Sequence, residues 1–237
     1  MVIEKLQKVY RDIQNCHICS GMDKSKALRL LDGVNIHSDV FIISQALAQR
    51  QLRESGVNFF QTDGAPGSTG KNLEKFLNLF NRTIYPPNDI TLPNKAVIPK
   101  AKNNLISVYN TEIAQCYPDK KGGSSEDRSP TKEEMLNCCS QGFLMKELEA
   151  ISPKLLLLMG AKSRDSFFTF CMKKDFPKSL SVHMEEIIKS KEAPVLTVDG
   201  VNIKVLPIQH ASGANPSFSK MLKDKDIIEF IQAILEV

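Results

Sequence analysis

Four short apolar runs divide the chain, and amphipathic patterns separate most of them. The runs are rich in aliphatic residues, β-branched ones among them, which is typical of strands buried on both faces of a sheet. They lie at residues 40–43, 105–109, 154–159 and 203–208. The spacing of apolar positions elsewhere predicts helices at residues 3–14, 70–79, 132–151, 161–173 and 218–235.

Strands that alternate with helices predict a parallel sheet covered on both faces. We therefore expect an α/β protein, a three-layer α/β/α sandwich whose central, mostly parallel sheet has four strands. Asp199 and Gly200 form a hairpin signal between two apolar segments, so the last strand is expected to have an antiparallel neighbour. The polar, glycine- and serine-rich stretch at residues 119–130 is typical of a surface insertion.

Composition agrees with one globular domain over residues 1–237, because 42% of the residues are hydrophobic and 24% are charged. The longest apolar run, residues 155–159, is far too short to cross a bilayer, so no membrane partner and a cytoplasmic location are expected. A net charge of +4 permits an anionic partner without requiring one.

Four of the six cysteines fall into two distant groups, which predicts a metal centre closed by the fold. Cys16 and Cys19 form a CxxC near the start, and Cys116 and Cys138 follow near the middle. A disulfide framework is not expected among reduced cytosolic thiols. Thiolates hold both zinc and iron–sulfur clusters, and the spacing does not separate the two.

Polar and glycine-rich segments follow the predicted strands, at the edge where open α/β sheets bind their ligands. These segments are residues 44–48, 56–60, 64–70, 110–112, 160–161 and 209–216. The glycine-rich segment lacks the Gly-Lys-Ser/Thr ending of a nucleotide-triphosphatase loop. A phosphate loop of that kind is therefore not expected.

This constellation resembles the uracil-DNA glycosylase superfamily, most closely its iron–sulfur (family 4) branch. That branch shows an N-terminal CxxC, a GEAPG-like turn, then GxPFVGxAGxLL, YxTNxxxCxP, PTxEExxxC, xPKxxxxLG and a final strand ending in HPS. The corresponding stretches here are Cys16-His-Ile-Cys19, residues 44–48, Gly56-Val-Asn-Phe59, Thr69-Gly70-Lys-Asn-Leu73, Tyr109-Asn-Thr-Glu112 with Cys116-Tyr-Pro, Pro130-Thr-Lys-Glu-Glu134 with Cys138, Pro153-Lys154 to Gly160, and His210-Ala-Ser212. Their order is colinear over nearly the whole chain.

The resemblance implies a DNA glycosylase that flips uracil or another deaminated base out of DNA and hydrolyses its N-glycosidic bond. His210 would then donate a hydrogen bond to the departing base, and Phe59 would stack on it, although Phe60 is an alternative. Gln45 would line the pocket and help to place water. Ala46 would line it too, at a position where other branches carry a catalytic aspartate, so no general base is named there.

DNA is the partner that the resemblance implies, bound by a monomer. Ser212, with the backbone of Gly213 and Ala214, would hold a phosphate beside the flipped nucleotide. Basic residues near predicted helix starts are further candidates for phosphate contacts. They are Lys71, Lys162, Arg164 and Lys220.

The resemblance also favours a [4Fe-4S] cluster held by Cys16, Cys19, Cys116 and Cys138, with zinc as the alternative. Cys139 competes with Cys138 for the place of fourth ligand. The expected role of the cluster is to join loops beside the DNA groove.

Glu112 departs from the family pattern, which has asparagine there to read the base edge. An amide both donates and accepts, whereas an ionised carboxylate only accepts and repels an anionic leaving group. We therefore expect altered base specificity or greatly reduced uracil excision. Two alternatives remain, namely a catalytically weak relative that binds nucleic acid and an unrelated α/β protein with a zinc site.

Overall fold

The computed structural model describes residues 2–19, 22–23, 34–46, 57–102, 104–118 and 128–236. Residues 47–48 and 56 of the predicted site segments, and residues 119–127 of the predicted insertion, lie outside these ranges. The strands are β1 Met22–Asp23, β2 Val40–Ala46, β3 Arg82–Thr83, β4 Ile90–Thr91, β5 Val97–Ile98, β6 Ile106–Ser107, β7 Tyr109–Ala114, β8 Tyr117–Pro118, β9 Leu155–Met159, β10 Val195–Val198 and β11 Val201–Ile208. The α-helices are α1 Val2–Asn15, α2 Ser68–Asn78, α3 Lys132–Ser140, α4 Phe143–Ile151, α5 Ala161–Ser166, α6 Leu180–Ser190, α7 Pro216–Met221 and α8 Lys225–Leu235.

The central sheet has the strand order β10-β11-β9-β2-β7. Strands β11, β9, β2 and β7 are parallel, which confirms the predicted four-stranded parallel core. Strand β10 pairs antiparallel with β11 across the turn at Asp199 and Gly200, where both residues have positive φ. The hairpin prediction is therefore confirmed, and among the described residues the sheet has five strands.

Helices cover both faces of the sheet because successive strand residues point to opposite sides. In β2, Val40 and Ile42 join an apolar cluster with α2, α6 and α8, whereas Phe41 and Ile43 join a second cluster with α1 and α4. Every residue of β9 is buried. This arrangement is the predicted three-layer α/β/α sandwich.

The predicted strand at residues 105–109 is wrong in its position. Residues 106–107 pair with β3 outside the central sheet, and the strand that joins the central sheet here is β7, which lies at its edge beside β2. Two polar side chains of β7 are buried beside Glu147 of α4, which is itself fully buried. Glu147 accepts a hydrogen bond from the Tyr109 hydroxyl at 2.8 Å and another from the Thr111 hydroxyl at 2.9 Å. Partners of this kind allow a polar segment to form a buried strand.

Three predicted helices are interrupted in the structure. Gly142, at φ 69°, separates α3 from α4, and Asp224 caps the start of α8 after α7 has ended. The predicted helix at residues 161–173 is α5 followed by a π-helical turn, Phe167–Met172. Helix α6, which Ser179 caps, was not predicted. None of the helices within the described ranges is long and apolar enough to cross a bilayer.

Candidate active site

The predicted site residues gather at the carboxyl edge of the four parallel strands. Gln45 and Ala46 end β2, Glu112 lies in the second half of β7, and His210 lies two residues after the end of β11. Gly160 follows β9, which lies between β2 and β11. In an open α/β sheet this edge is where ligands bind.

His210 is held in one tautomer when its ring is neutral. Its Nδ1 accepts a hydrogen bond from the backbone N–H of Ser212 at 3.2 Å, so the proton of the neutral ring resides on Nε2. Surrounding protein atoms partly desolvate the ring and lower the pKa of His210 below its usual value of 6.5. The side chain is nevertheless exposed, which leaves a neutral imidazole with a donor that a ligand can reach.

Gly160 supports the His210 ring from behind. A β-carbon at position 160 would stand 3.4 Å from both Cβ and Cδ2 of His210. The backbone of Gly160 has φ 91° and ψ 160°, a conformation that almost only glycine adopts. Its N–H donates to the Ile208 carbonyl at 2.8 Å, which joins the end of β9 to the end of β11.

The loop that carries His210 is fixed by two asparagines. Asn72 of α2 donates from Nδ2 to the Ala211 carbonyl at 3.1 Å, and Asn215 donates from Nδ2 to the His210 carbonyl at 2.9 Å. Asn215 also accepts from the Ser217 N–H at 3.1 Å and caps α7. The loop is therefore tied to α2 on one side and to α7 on the other.

Ser212, Gly213 and Ala214 form the outer turn of this loop. Gly213 and Ala214 are exposed, and Ser212 is half-buried. The Ser212 N–H donates to His210 and its carbonyl accepts from the Asn215 N–H, so the hydroxyl is the group of Ser212 that a phosphate could contact. The turn has the exposure that a phosphate contact requires.

Glu112 is buried in β7, with only 1% of its surface exposed. It pairs with Ser44 of β2. Its Oε1 accepts a hydrogen bond from Nδ2 of Asn58 at 2.5 Å. Sequence reasoning missed Asn58, whose signal is that it occupies the proline position of the GxPF pattern.

Phe59 lies on the same turn as Asn58 and is 3% exposed. Its φ is 70°, and its carbonyl accepts from the Gly67 N–H at 2.8 Å. A β-carbon on Gly70 of α2 would stand 2.8 Å from that carbonyl oxygen, so a glycine is needed there. The alternative ring, Phe60, packs edge-on against Tyr85 with centroids 5.4 Å apart.

Gln45 has a buried Nε2 that meets no hydrogen-bond partner among the described residues. A buried amide donor without a partner is uncommon and costly, so the Gln45 amide is a candidate for binding a ligand. Ala46, its neighbour, pairs with Ala114 of β7. The small side chain at position 46 leaves no titratable group at this point of the edge.

The four predicted cysteine ligands lie against one apolar cluster, the one that contains α1 and α4. Cys138 of α3 accepts a hydrogen bond on Sγ from the Gln115 N–H at 3.2 Å. Burial, and then the nearby thiols of Cys116, Cys139 and Cys16, raise the pKa of Cys138 well above its usual value. Burial chiefly raises the pKa of Cys19 too, with Cys16 among the groups that act on it.

Asn137 connects the two cysteine groups more directly. This neighbour of Cys138 directs its Nδ2 to Sγ of Cys19 at 3.8 Å. The fold therefore brings the end of α1, the segment after β7 and helix α3 together. Within the described ranges, however, no three Cys, His, Asp or Glu side chains are arranged to hold one metal ion.

Cys139 is directed to a different thiol from its neighbour Cys138. A hydrogen bond joins it to Cys171 in the π-helical turn, and this bond lowers the pKa of Cys171 while Lys173 acts in the same direction. The same bond raises the pKa of Cys139. The surroundings of Cys138 and Cys139 thus differ, because, beyond burial, the thiols of Cys116 and Cys16 raise the pKa of Cys138.

The prediction that Arg164 contacts DNA phosphate is wrong. Arg164 is fully buried, and its guanidinium donates to the Pro177 carbonyl at 3.0 Å and to the Lys178 carbonyl at 3.1 Å. It also pairs with Asp165 and lies 4.6 Å from the centroid of the Phe176 ring. Lys71, Lys162 and Lys220 are exposed, and the prediction remains for them.

Comparison with known proteins gives one positive result. The comparison with curated proteins gave no match. The family model described as Uracil DNA glycosylase superfamily matches residues 31–235, which include the whole sheet edge from Gln45 to His210. A match over most of the chain, on a fold of the expected architecture, shows that this chain belongs to the uracil-DNA glycosylase superfamily.

Proposed function

We propose that this protein is a DNA glycosylase that removes uracil or another deaminated base by hydrolysing the N-glycosidic bond. The observation that carries the proposal is the state of His210, a neutral imidazole whose Nε2 proton is set by the Ser212 N–H on Nδ1. Family membership supports a glycosylase of this general kind. The substrate base and the activity itself are part of the proposal.

The chemical problem is the negative charge that grows on the base as the glycosidic bond stretches. A donor that is already oriented stabilises this charge without reorganising during the reaction. His210 provides such a donor, because Gly160 supports its ring and the Ser212 N–H holds its other nitrogen. The histidine donates from Nε2 to the departing base oxygen.

Gln45 is proposed to act beside His210 on the flipped nucleotide. Its unpartnered Nε2 supplies a donor inside the pocket, and its carboxamide oxygen is suited to orient the attacking water. Ala46 lines the pocket without contributing a general base. Phe59 is proposed to stack on the base, from the turn that Gly67 and Gly70 hold in place.

DNA binding is proposed to occur along this edge of the sheet. The Ser212 hydroxyl and the exposed turn at Gly213 and Ala214 contact the phosphate next to the flipped nucleotide. Exposed Lys71, near the start of α2, and Lys220, in α7, add positive charge close to the His210 loop. We propose that the protein binds DNA as a monomer.

We propose a [4Fe-4S] cluster held by Cys16, Cys19, Cys116 and Cys138. All four donors are sulfur, they lie on one apolar cluster, and the Gln115 N–H already donates to the Cys138 sulfur. When bound, the cluster would supply a covalent link between α1, the segment after β7 and α3. Zinc, which sulfur ligands also hold, remains the alternative.

A second candidate is a catalytically weak relative that binds nucleic acid through the same edge. The observation that favours it is Glu112, a carboxylate at the position where the family pattern has a base-reading amide. A carboxylate beside an anionic leaving group opposes the reaction.

Base release from single-stranded and duplex oligonucleotides carrying one uracil, hypoxanthine or xanthine tests the two candidates. We expect release of at least one base by the wild type, and a loss of about 10²–10³-fold in His210→Ala with retained DNA binding. His37→Ala is the matched control, because His37 is exposed and lies before β2. DNA binding without release of any base by the wild type would support the second candidate instead.

A further inference from the structure

We propose that Asn58 reads the base edge in this protein and that Glu112 positions its amide. The inference rests on the proposed function and names the specificity determinant of that site. In the stretch that corresponds to GxPF, Asn58 occupies the proline position, and in the stretch that corresponds to YxTN, Glu112 occupies the asparagine position. These two departures from the family pattern contact each other at 2.5 Å.

Burial separates the roles of the two side chains. Glu112 is 1% exposed, so a ligand that enters from solvent cannot reach its carboxylate without moving other groups. Asn58 is half-buried and adjoins Phe59, the proposed stacking ring. A base that approaches this turn therefore meets the amide of Asn58 before it meets Glu112, whereas Phe59, which is 3% exposed, must move before it can stack on the base.

The hydrogen bond to Glu112 determines which way the Asn58 amide faces. Oε1 of Glu112 is an acceptor, so Nδ2 of Asn58 must turn toward it. One amide hydrogen is used in this bond. The second hydrogen and the carbonyl Oδ1 then form an adjacent donor and acceptor that a ligand can pair with.

An adjacent donor and acceptor of this polarity fit a base edge with an N–H next to a C=O. Uracil has this edge at N3 and O4, and hypoxanthine and xanthine have it at N1 and O6. Cytosine has the reverse pattern, because its N3 accepts and its N4 amine donates. An amide that Glu112 prevents from flipping therefore selects deaminated bases against cytosine, and the amide missing at position 112 is supplied from position 58.

Binding of uncleavable substrate analogues tests this proposal apart from catalysis. The probes are two single-stranded oligonucleotides, identical except for one 2′-fluoro-2′-deoxyuridine or one 2′-fluoro-2′-deoxycytidine, read by fluorescence anisotropy. A bidentate amide contact discriminates by about fivefold to 150-fold, and we expect a wild-type preference for the uridine probe in this range. Asn58→Ala should reduce the preference to about twofold or less, and Asn58→Ser, which offers no adjacent donor and acceptor, should do the same.

Glu112→Gln separates positioning from direct reading. A glutamine amide can accept from Asn58 or donate to it, so Asn58 becomes free to face either way, and the preference should fall by roughly fivefold with folding retained. Asn58→Ala/Glu112→Asn should restore the preference that Asn58→Ala loses, since it moves the amide to position 112. Asn94→Ala is the matched control, because Asn94 is exposed and its amide bonds the Thr62 carbonyl.

Two results would overturn the proposal. One is a wild type that binds both probes equally, and the other is Asn58→Ala and Asn58→Ser with an undiminished preference. If Glu112→Gln abolishes the preference while Asn58→Ala keeps it, Glu112 reads the base directly. If the wild type shows the Asn58-dependent preference but releases no base, the positioning proposal holds and the proposed catalysis fails.

Discussion

The imidazole of His210 lies beside Gly160, where an added β-carbon would stand 3.4 Å from the ring carbon Cδ2. Two strands that are neighbours in space but far apart in sequence thereby place the proposed catalytic donor. Because Gly160 also has φ 91° and ψ 160°, its replacement disturbs both the backbone and the ring.

Gly160→Ala should lower the rate of base release by more than its loss of stability accounts for. Backbone strain of this kind costs about 1–3 kcal/mol, and the added methyl group would stand at the limit of van der Waals contact with the His210 ring, 3.4 Å from Cδ2. Single-turnover release and thermal unfolding measure the two effects. Gly142→Ala is the matched control, because Gly142 also has positive φ but nothing lies within 4 Å of its added carbon. Equal losses of activity in both variants would contradict the supporting role of Gly160.

The pH dependence of base release should show an acid limb that belongs to His210. Protonation of Nδ1 would set an N–H against the Ser212 N–H, so the charged ring loses the contact that orients it. Desolvation lowers the pKa of His210, and the neutral ring therefore persists below pH 6.5. Release should rise with pH through this lowered pKa and then level off, and a ¹H NMR titration of the ring should give the same value. A midpoint above 6.5 would contradict the assignment.

Stability should depend on pH in the same direction. Between the lowered pKa of folded His210 and 6.5, the unfolded chain binds more protons than the folded chain, so the free energy of unfolding rises with pH. The contribution is complete above pH 6.5 and is lost as the pH falls through this window. His183, whose pKa is lowered by burial and then by Arg164, adds to the same trend. The His210→Ala protein should therefore show a shallower slope, measured by denaturant unfolding at several pH values.

Arg164→Ala should destabilise the protein without weakening DNA binding directly. The variant loses two hydrogen bonds to backbone carbonyls and the contact with Phe176, at about 2–3 kcal/mol. Lys71→Ala should instead reduce the slope of affinity against salt by about one phosphate contact. Thermal unfolding and anisotropy at several salt concentrations measure both. A reduced salt slope in a folded Arg164→Ala protein would restore the phosphate role that its burial argues against.

Cys138 and Cys139 should differ when either is replaced. We expect purified protein to be brown, Cys138→Ser to lose the iron–sulfur absorbance, and Cys139→Ser to keep it, since Cys139 bonds Cys171 instead. Iron and zinc content per chain, measured with the visible spectrum, checks this. Colourless wild type with stoichiometric zinc would show the alternative metal, and loss of colour in Cys139→Ser alone would exchange the two ligands.

The sheet could be predicted from sequence because β9 and β11 carry aliphatic runs and the Asp-Gly turn marks the hairpin. Strand β7 was misplaced because it is rich in polar residues, two of which, Tyr109 and Thr111, are buried with hydrogen bonds to Glu147, 36 positions beyond Thr111. Single-sequence periodicity cannot show such a partner. The breaks at Gly142 and Asp224 were missed because the apolar pattern continues across them.

The candidate site was predictable where it depends on a strand end, as for His210 and Gln45. It was not predictable where it depends on pairing across the chain. Asn58 and Glu112 are 54 positions apart, and neither residue alone indicates the other. The tautomer of His210 likewise follows from the path of its loop, which the sequence does not specify.

The most direct test of the central claim, that His210 donates to the departing base, varies the acidity of that base. Single-turnover release of uracil and of 5-fluorouracil from otherwise identical oligonucleotides is measured for the wild type and His210→Ala. 5-Fluorouracil leaves as a weaker base than uracil and so needs the His210 donor less. The ratio of the wild-type rate to the His210→Ala rate should therefore be smaller for 5-fluorouracil than for uracil by about fivefold or more. An equal rate ratio for the two bases would contradict the account. His210 would then contribute to a step that precedes cleavage of the glycosidic bond.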